Sequence, residues 1–270
     1  MGIVIAVISG KGGVGKTTTT ANIGLGIAQN NKKCVVVDFD IGQRNLDMLL
    51  GLENRVVYDM VHVMDDNITI KQALIKSKMS PNLSFLAASQ TKDKSVLESE
   101  KISKLIESLK AEFDYVILDA PAGIESGYEH TIEFADKALV VVNPEVSSIR
   151  DSDRAIGILD SKSKKVKDGE EVDKFLIINR IDSKMVQSGE MLNSDDILDI
   201  LSIPLIGKIP EDKGIIDASN QGKPIILSKD SKAGQAYARV ASRICGNKVD
   251  FVDVESHKDG FIQKFKGMFS

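Results

Sequence analysis

The chain lacks the marks of several large protein classes. Only two of its 270 residues are cysteine. Cys34 and Cys245 stand far apart and form no Cys-x-x-Cys pair, which argues against a redox or metal carrier built on clustered thiolates. Cys34 falls in the apolar run Cys34-Val35-Val36-Val37, where a small buried side chain is the expected role. No segment approaches 18 consecutive apolar residues, so no membrane-spanning helix is expected. The first residues read as a strand rather than a charged-then-apolar leader, and together these absences predict a reduced, soluble, cytoplasmic protein. Positive charge is not in excess either. Thirty-five Lys and Arg against 39 Asp and Glu leave a net charge of −4, which gives no global attraction to nucleic acid but leaves room for local basic patches. Internal repeats and low-complexity tracts are absent too.

What is present is an alternation of apolar strands and amphipathic helices almost from end to end. Residues 3–8, 34–38, 83–87, 115–119, 138–142, 175–179 and 204–208 read as strands whose near-continuous apolar character predicts a parallel sheet covered on both faces. Between them, Ile102, Leu105, Ile106 and Leu109 fall at helical spacing, as do Ala233, Ala236, Tyr237, Val240, Ala241 and Ile244. The fold expected is α/β, a doubly wound, mostly parallel sheet whose ligands bind outside the carboxyl ends of the strands. The length suits one such domain over residues 1–246, a polar linker over 247–258 and a C-terminal amphipathic helix over 259–270.

The chemistry is concentrated in Gly10-Lys11-Gly12-Gly13-Val14-Gly15-Lys16-Thr17. This segment follows the apolar run 3–8 and precedes a helical stretch, the strand–loop–helix setting that a phosphate-binding loop (P-loop) requires. Backbone N–H groups of Gly12, Gly13, Val14 and Gly15 can close around phosphate oxygens, aided by the helix N-terminus where Thr18 lies. Lys16 can reach the β/γ oxygens, and the Thr17 hydroxyl can ligate Mg²⁺. Lys11 is additional. Its place at the start of the loop suits a nucleotide held by a second copy of the chain better than its own, and a solvated loop lysine is the plainer alternative.

Three carboxylates occupy strand ends. Asp119 closes Val116-Ile117-Leu118 and suits Mg²⁺, held through a bound water. Asp40 follows Val35-Val36-Val37-Asp38-Phe39 and is expected to orient the attacking water and sense Mg²⁺, with Asp38 supporting it. A lone strand-end aspartate is otherwise a turn or helix cap.

Gly-Lys-Gly-Gly-Val-Gly-Lys-Thr-Thr resembles the deviant Walker A loop of the MinD/ParA group of P-loop ATPases. Val37-Asp38-Phe39-Asp40-Ile41-Gly42-Gln43-Arg44-Asn45-Leu46-Asp47, Ala88–Lys94, Asp119–Glu125, Asn143–Arg154 and Ile209–Asp212 narrow the likeness to its septum-site-determining MinD branch, in order along the whole chain. The resemblance implies an ATPase that forms a homodimer around two ATP molecules, with Lys11 crossing to the partner's nucleotide. It further implies membrane binding in the ATP form, recruitment of a MinC-like division inhibitor and release by a MinE-like activator. Asn179, Arg180, Pro210 and Glu211 would contact adenine, where the alternative is an ordinary β–α turn. Glu145 to Asp153 and Lys92-Asp93-Lys94 would lie near the dimer face and the partner sites. A ParA-type partition ATPase that grips DNA nonspecifically is the alternative; the acidic balance and the tail weigh against it, and no specific nucleic acid is expected. A non-hydrolysing ATP-dependent scaffold is a further alternative.

In the tail, Phe261, Ile262, Phe265, Met268 and Phe269 fall within an arc of about 120° on a helix, opposite Gln263, Lys264, Lys266, Gly267 and Ser270. That pattern suits a helix lying in an anionic membrane interface, on the inner face of the cell membrane; a helix docked on its own core is the alternative. Burying five large apolar side chains stabilises by roughly 7–15 kcal/mol. Ordering some ten residues costs about 10–20 kcal/mol. One tail would therefore bind weakly, whereas two on one dimer gain about 10²–10⁴ in avidity. Lys258, Lys264 and Lys266 set against Asp259 make this tail less basic than some in the family, which predicts a softer dependence on lipid charge.

Overall fold

The computed structural model describes residues 1–124 and 127–256. The membrane-tail residues named above, Phe261, Ile262, Phe265, Met268 and Phe269, lie outside the described residues. Eight strands form one sheet in the order β3-β4-β2-β5-β1-β6-β7-β8. They are β1 (Ile3–Ile8), β2 (Cys34–Asp38), β3 (Ile75–Lys76), β4 (Leu83–Leu86), β5 (Tyr115–Asp119), β6 (Lys137–Val142), β7 (Asp173–Ile181) and β8 (Leu205–Pro210). Every pairing is parallel except that of β3 with β4. The doubly wound, mostly parallel sheet expected from the apolar runs is thus present.

Five helices of eight or more residues lie among the described residues: α1 (Lys16–Gln29), α2 (Ser99–Glu112), α3 (Val146–Lys162), α4 (Ser194–Leu201) and α5 (Lys232–Ile244). Along β1, Ile5 and Val7 point into the layer beneath α1 and α5. Val4, Ala6 and Ile8 point to the opposite layer, beneath α2 and α3. This period-two division buries a strand on both faces and accounts for its unbroken apolar sequence. Two glycines let α1 sit tightly: a Cβ on Gly24 would lie 2.3 Å from Val36 Cγ1, and one on Gly26 would lie 2.5 Å from Ala241 Cβ.

Three boundaries depart from expectation. β3 has only two residues and leaves no periodic trace. β7 runs on to Ile181, so Asn179 lies inside the strand rather than at its end, and Arg180 inside it rather than after it. Pro210 is the last residue of β8, where the missing N–H costs no ladder bond. The cysteines are both free, Cys34 buried and Cys245 half-buried, and Cys245 packs against the same core layer as Cys34. No helix among the described residues is long and apolar enough to cross a membrane.

Candidate functional site

β1 is where the winding of the sheet reverses, with β5 on one side and β6 on the other. A crevice opens at such a point above the carboxyl ends of the strands, and the loop after β1 enters it. Gly13, Gly15, Lys16, Thr17, Thr18 and Asp40 line a groove there of about 340 Å³, completed in part by Arg180.

Lys16 is only 6% exposed, and its Nζ donates to Ser9 Oγ at 2.9 Å. Burial draws its pKa down from the usual lysine value, while Asp119 and Asp40 oppose that shift through space. A partly desolvated ammonium of this kind attracts phosphate more strongly than a solvated one. Asp119 is buried and stands in register with Asp38 across β5 and β2. Its Oδ1 accepts from Thr20 Oγ1 at 2.9 Å. Burial pushes its pKa up, and the Thr17 and Thr20 hydroxyls pull it back.

Asp38 is committed to its own loop. Its Oδ1 accepts from Asp40 N at 2.9 Å, and its Oδ2 accepts from Asn45 N and Leu46 N, both at 3.1 Å. Burial, then the nearby Asp119, pushes its pKa up. Asp38 therefore shapes the segment that presents Asp40, which itself is half-buried at the groove wall. Burial raises the Asp40 pKa, and Lys94 and Lys16 oppose the rise.

The other expected residues are placed as follows. Lys11 does not line this groove; its Nζ donates to Glu145 Oε2 at 3.2 Å and Ser147 Oγ at 3.0 Å. Gly12 lies beside the Ala122 methyl, where a Cβ would be 3.6 Å away. The Val14 carbonyl accepts from Asn179 Nδ2 at 2.8 Å. Asn179 thereby clamps the loop with its amide nitrogen, and its buried Oδ1 has no partner among the described residues. Gly15 is confined by the same side chain: it has φ of 99°, and a Cβ would lie 2.4 Å from Asn179 Nδ2. Arg180 adopts a left-handed backbone with φ of 59°, which costs energy in a non-glycine residue. Pro210 and Glu211 are not at the phosphate groove; they line a second one of about 900 Å³. Lys92, Asp93 and Lys94 face Ile41, Gly42 and Gln43 across a shallow surface depression.

Several contributors carried little sequence signal. Ser9 links both loop lysines, donating to the Lys11 carbonyl at 2.8 Å while accepting from Lys16. The Gly10 N–H donates to Ser152 Oγ at 3.3 Å, and a Cβ on Gly10 would meet the Asp151 carbonyl at 2.0 Å. The start of the loop is thus seated directly on α3. Thr20 was in principle visible, one helical turn beyond Thr17 and on the same face.

A family model described as an AAA domain matches residues 2–168. The septum site-determining protein MinD of Helicobacter pylori is 57% identical over 270 residues, covering 100% of both chains. That of Escherichia coli K12 is 49% identical over 269 residues, covering 99% of this chain and 100% of the relative. Among solved structures, the MinC:MinD cell division protein complex of Aquifex aeolicus aligns with a TM-score of 0.84 and 45% identity, over 93% of this chain and 99% of that one. MinD of Pyrococcus horikoshii, solved with Mg-ADP, aligns with a TM-score of 0.78 and 28% identity, over 90% of this chain and 96% of that one. Identity of this extent over the full length shows that the chain belongs to the MinD family of septum site-determining cell division ATPases.

Proposed function

We propose that this protein is an ATP-driven dimerisation switch that binds the inner membrane in its ATP form and recruits a MinC-like inhibitor to place the division septum. The observation that carries this reading is the division of labour between the two loop lysines. Lys16 is buried beside the phosphate groove, whereas Lys11 faces outward onto Glu145 and Ser147.

The residues present fit a magnesium nucleotide. The Thr17 hydroxyl and the Asp40 carboxylate line one groove, and the buried Asp119 carboxylate stands against the Thr17 and Thr20 hydroxyls; hard oxygen donors of this kind are those Mg²⁺ favours. The buried Asn179 Oδ1 is free to accept from an adenine amino group. Pro210 and Glu211 would bound the base from the β8 side. The loop's backbone N–H groups would hold the phosphates, with Lys16 at the β/γ oxygens. Mg²⁺, when bound, supplies charge neutralisation between those oxygens. Asp40 would orient the attacking water, and Asp38 would fix the backbone that carries Asp40. Lys11 would leave Glu145 and cross to the partner's triphosphate, so that ATP and not ADP favours the dimer.

Pairing would join two weakly binding tails through Phe261, Ile262, Phe265, Met268 and Phe269, and avidity would do the rest. A MinE-like activator would return the system by stimulating hydrolysis. Co-sedimentation with anionic vesicles, with phosphate release read in the same tubes, tests the switch. ATP should drive the protein onto vesicles and ADP should not; equal sedimentation in both nucleotides would overturn the proposal.

A further inference from the structure

The turn after β2 carries a side chain that none of the roles above uses. Gln43 is exposed, and it lines the phosphate groove together with Lys16, Thr17 and Asp40. It also lines the neighbouring depression, across which Lys92, Asp93, Lys94 and Ser95 face it. Among the described residues, no other borders both. The Gln43 side-chain amide makes no hydrogen bond to the described residues; only its backbone is engaged.

That backbone is held from both sides. The Gln43 N–H donates to the Asp40 carbonyl at 3.0 Å, which closes a four-residue turn and brings the two residues together at one wall of the groove. Gly42, the third residue of the turn, takes φ of 89°, and its N–H donates to the Ser89 carbonyl at 2.8 Å. The Gln43 carbonyl accepts from Asn45 Nδ2 at 2.6 Å. Beyond it, the N–H groups of Asn45 and Leu46 are fastened to the buried Asp38. With the main chain fixed in this way, a ligand has only the Gln43 side chain left to order, which keeps the cost of engaging it small.

We propose that Gln43 is a further catalytic residue, which orients the attacking water together with Asp40. The inference rests on the hydrolytic role given to Asp40 above and adds a second group to the same step. A water molecule has two protons to offer. With the Asp40 carboxylate accepting one and Gln43 Oε1 the other, a lone pair is left directed at the γ-phosphorus. Gln43 Nε2 donates to a γ-phosphate oxygen, where negative charge is carried in the transition state. The water oxygen bonds to the γ-phosphorus while the bond from that phosphorus to the β,γ-bridging oxygen breaks, its electron pair staying with ADP. One water proton remains on the released phosphate and the other passes to solvent. A neutral amide takes up no proton, so Gln43 acts by orientation and hydrogen bonding alone.

The test compares the full chain with Gln43→Met and Gln43→Ala in ATP and magnesium, reading steady-state phosphate release. Met keeps the length of the side chain and removes the amide. In both variants kcat should fall about tenfold, the worth of one hydrogen bond made only in the transition state, with KM unchanged. ADP affinity, the mass of the ATP-bound assembly and the melting temperature should match the parent. Parental kcat in both variants would overturn the assignment while leaving Asp40 and the switch standing. A raised KM at parental kcat would reduce Gln43 to a binding contact and overturn it too. So would a fall in kcat that comes with loss of the ATP-bound dimer, since Gln43 would then join protomers rather than orient water. If Asp40→Ala hydrolyses ATP like the parent, the reading on which this inference rests falls first, and the shared role of Gln43 falls with it.

Discussion

Lys11 Nζ lies 3.2 Å from Glu145 Oε2, in an ion pair whose side chains are 42% and 53% exposed. An exposed pair of this kind contributes about 0–1 kcal/mol. It holds Lys11 off the protein's own phosphate groove at little cost to release. Lys11→Ala should therefore leave the stability of the nucleotide-free monomer within about 0.5 kcal/mol of the parent, as read by urea denaturation. A large loss would mean that Lys11 belongs to the monomer's own framework.

Asp40 is half-buried at the groove wall, and its loop is fastened by Asp38 rather than by its own side chain. Asp40→Ala should therefore keep the loop folded and ATP bound while phosphate release falls by about 10²-fold or more. Nucleotide titration and a phosphate assay on the same preparation check this. Unchanged hydrolysis would remove Asp40 from the mechanism.

Gly15 combines a left-handed backbone with an approach of 2.4 Å between its would-be Cβ and Asn179 Nδ2. Gly15→Ala should cost about 1–3 kcal/mol, and the displaced Asn179 should release the Val14 carbonyl. ATP affinity should drop at least tenfold by calorimetry. Retention of parent affinity would show that the loop tolerates a shift at this position.

The pH dependence of stability follows from Asp119, whose pKa burial raises above its unfolded value. A carboxyl of this kind stabilises the fold while both states are protonated. That stability is lost as pH rises from the unfolded pKa through the folded one. Without nucleotide, Asp119→Asn should therefore melt higher than the parent at about pH 8, with the difference shrinking toward about pH 4. Scanning calorimetry across that range reads it. A variant less stable than the parent at the alkaline end would contradict the sign.

The parts legible in the sequence are those governed by local pattern. The run 3–8, the glycine-rich loop and the helix behind it define a strand, a turn and a phosphate cradle without reference to distant residues. Asp38, Asp40 and Asp119 were visible as strand ends, but their division of roles was not. Asp38 is set apart from Asp40 by its burial beside Asp119 and by three backbone donors from the following loop, and all of these come from the folded chain rather than from local pattern. Ser152 reaches Gly10 across 142 positions, and no periodicity encodes such a contact. β3 escaped because two residues cannot show a period. The segment 249–256 read as a polar linker because Arg243 grips its start through the backbone carbonyls of Val249 and Asp250, a group that every residue carries. Asn179 was expected at the base, whereas its amide nitrogen clamps the loop and only Oδ1 remains available.

The account depends on Lys11 serving a second molecule. The most direct measurement is the mass of the assembly and its sedimentation with anionic vesicles, parent against Lys11→Ala, both in ATP and magnesium. The parent should double in mass and coat the vesicles, and the variant should remain a monomer in the supernatant while still binding ATP. A Lys11→Ala protein that dimerises and coats vesicles like the parent would contradict the account.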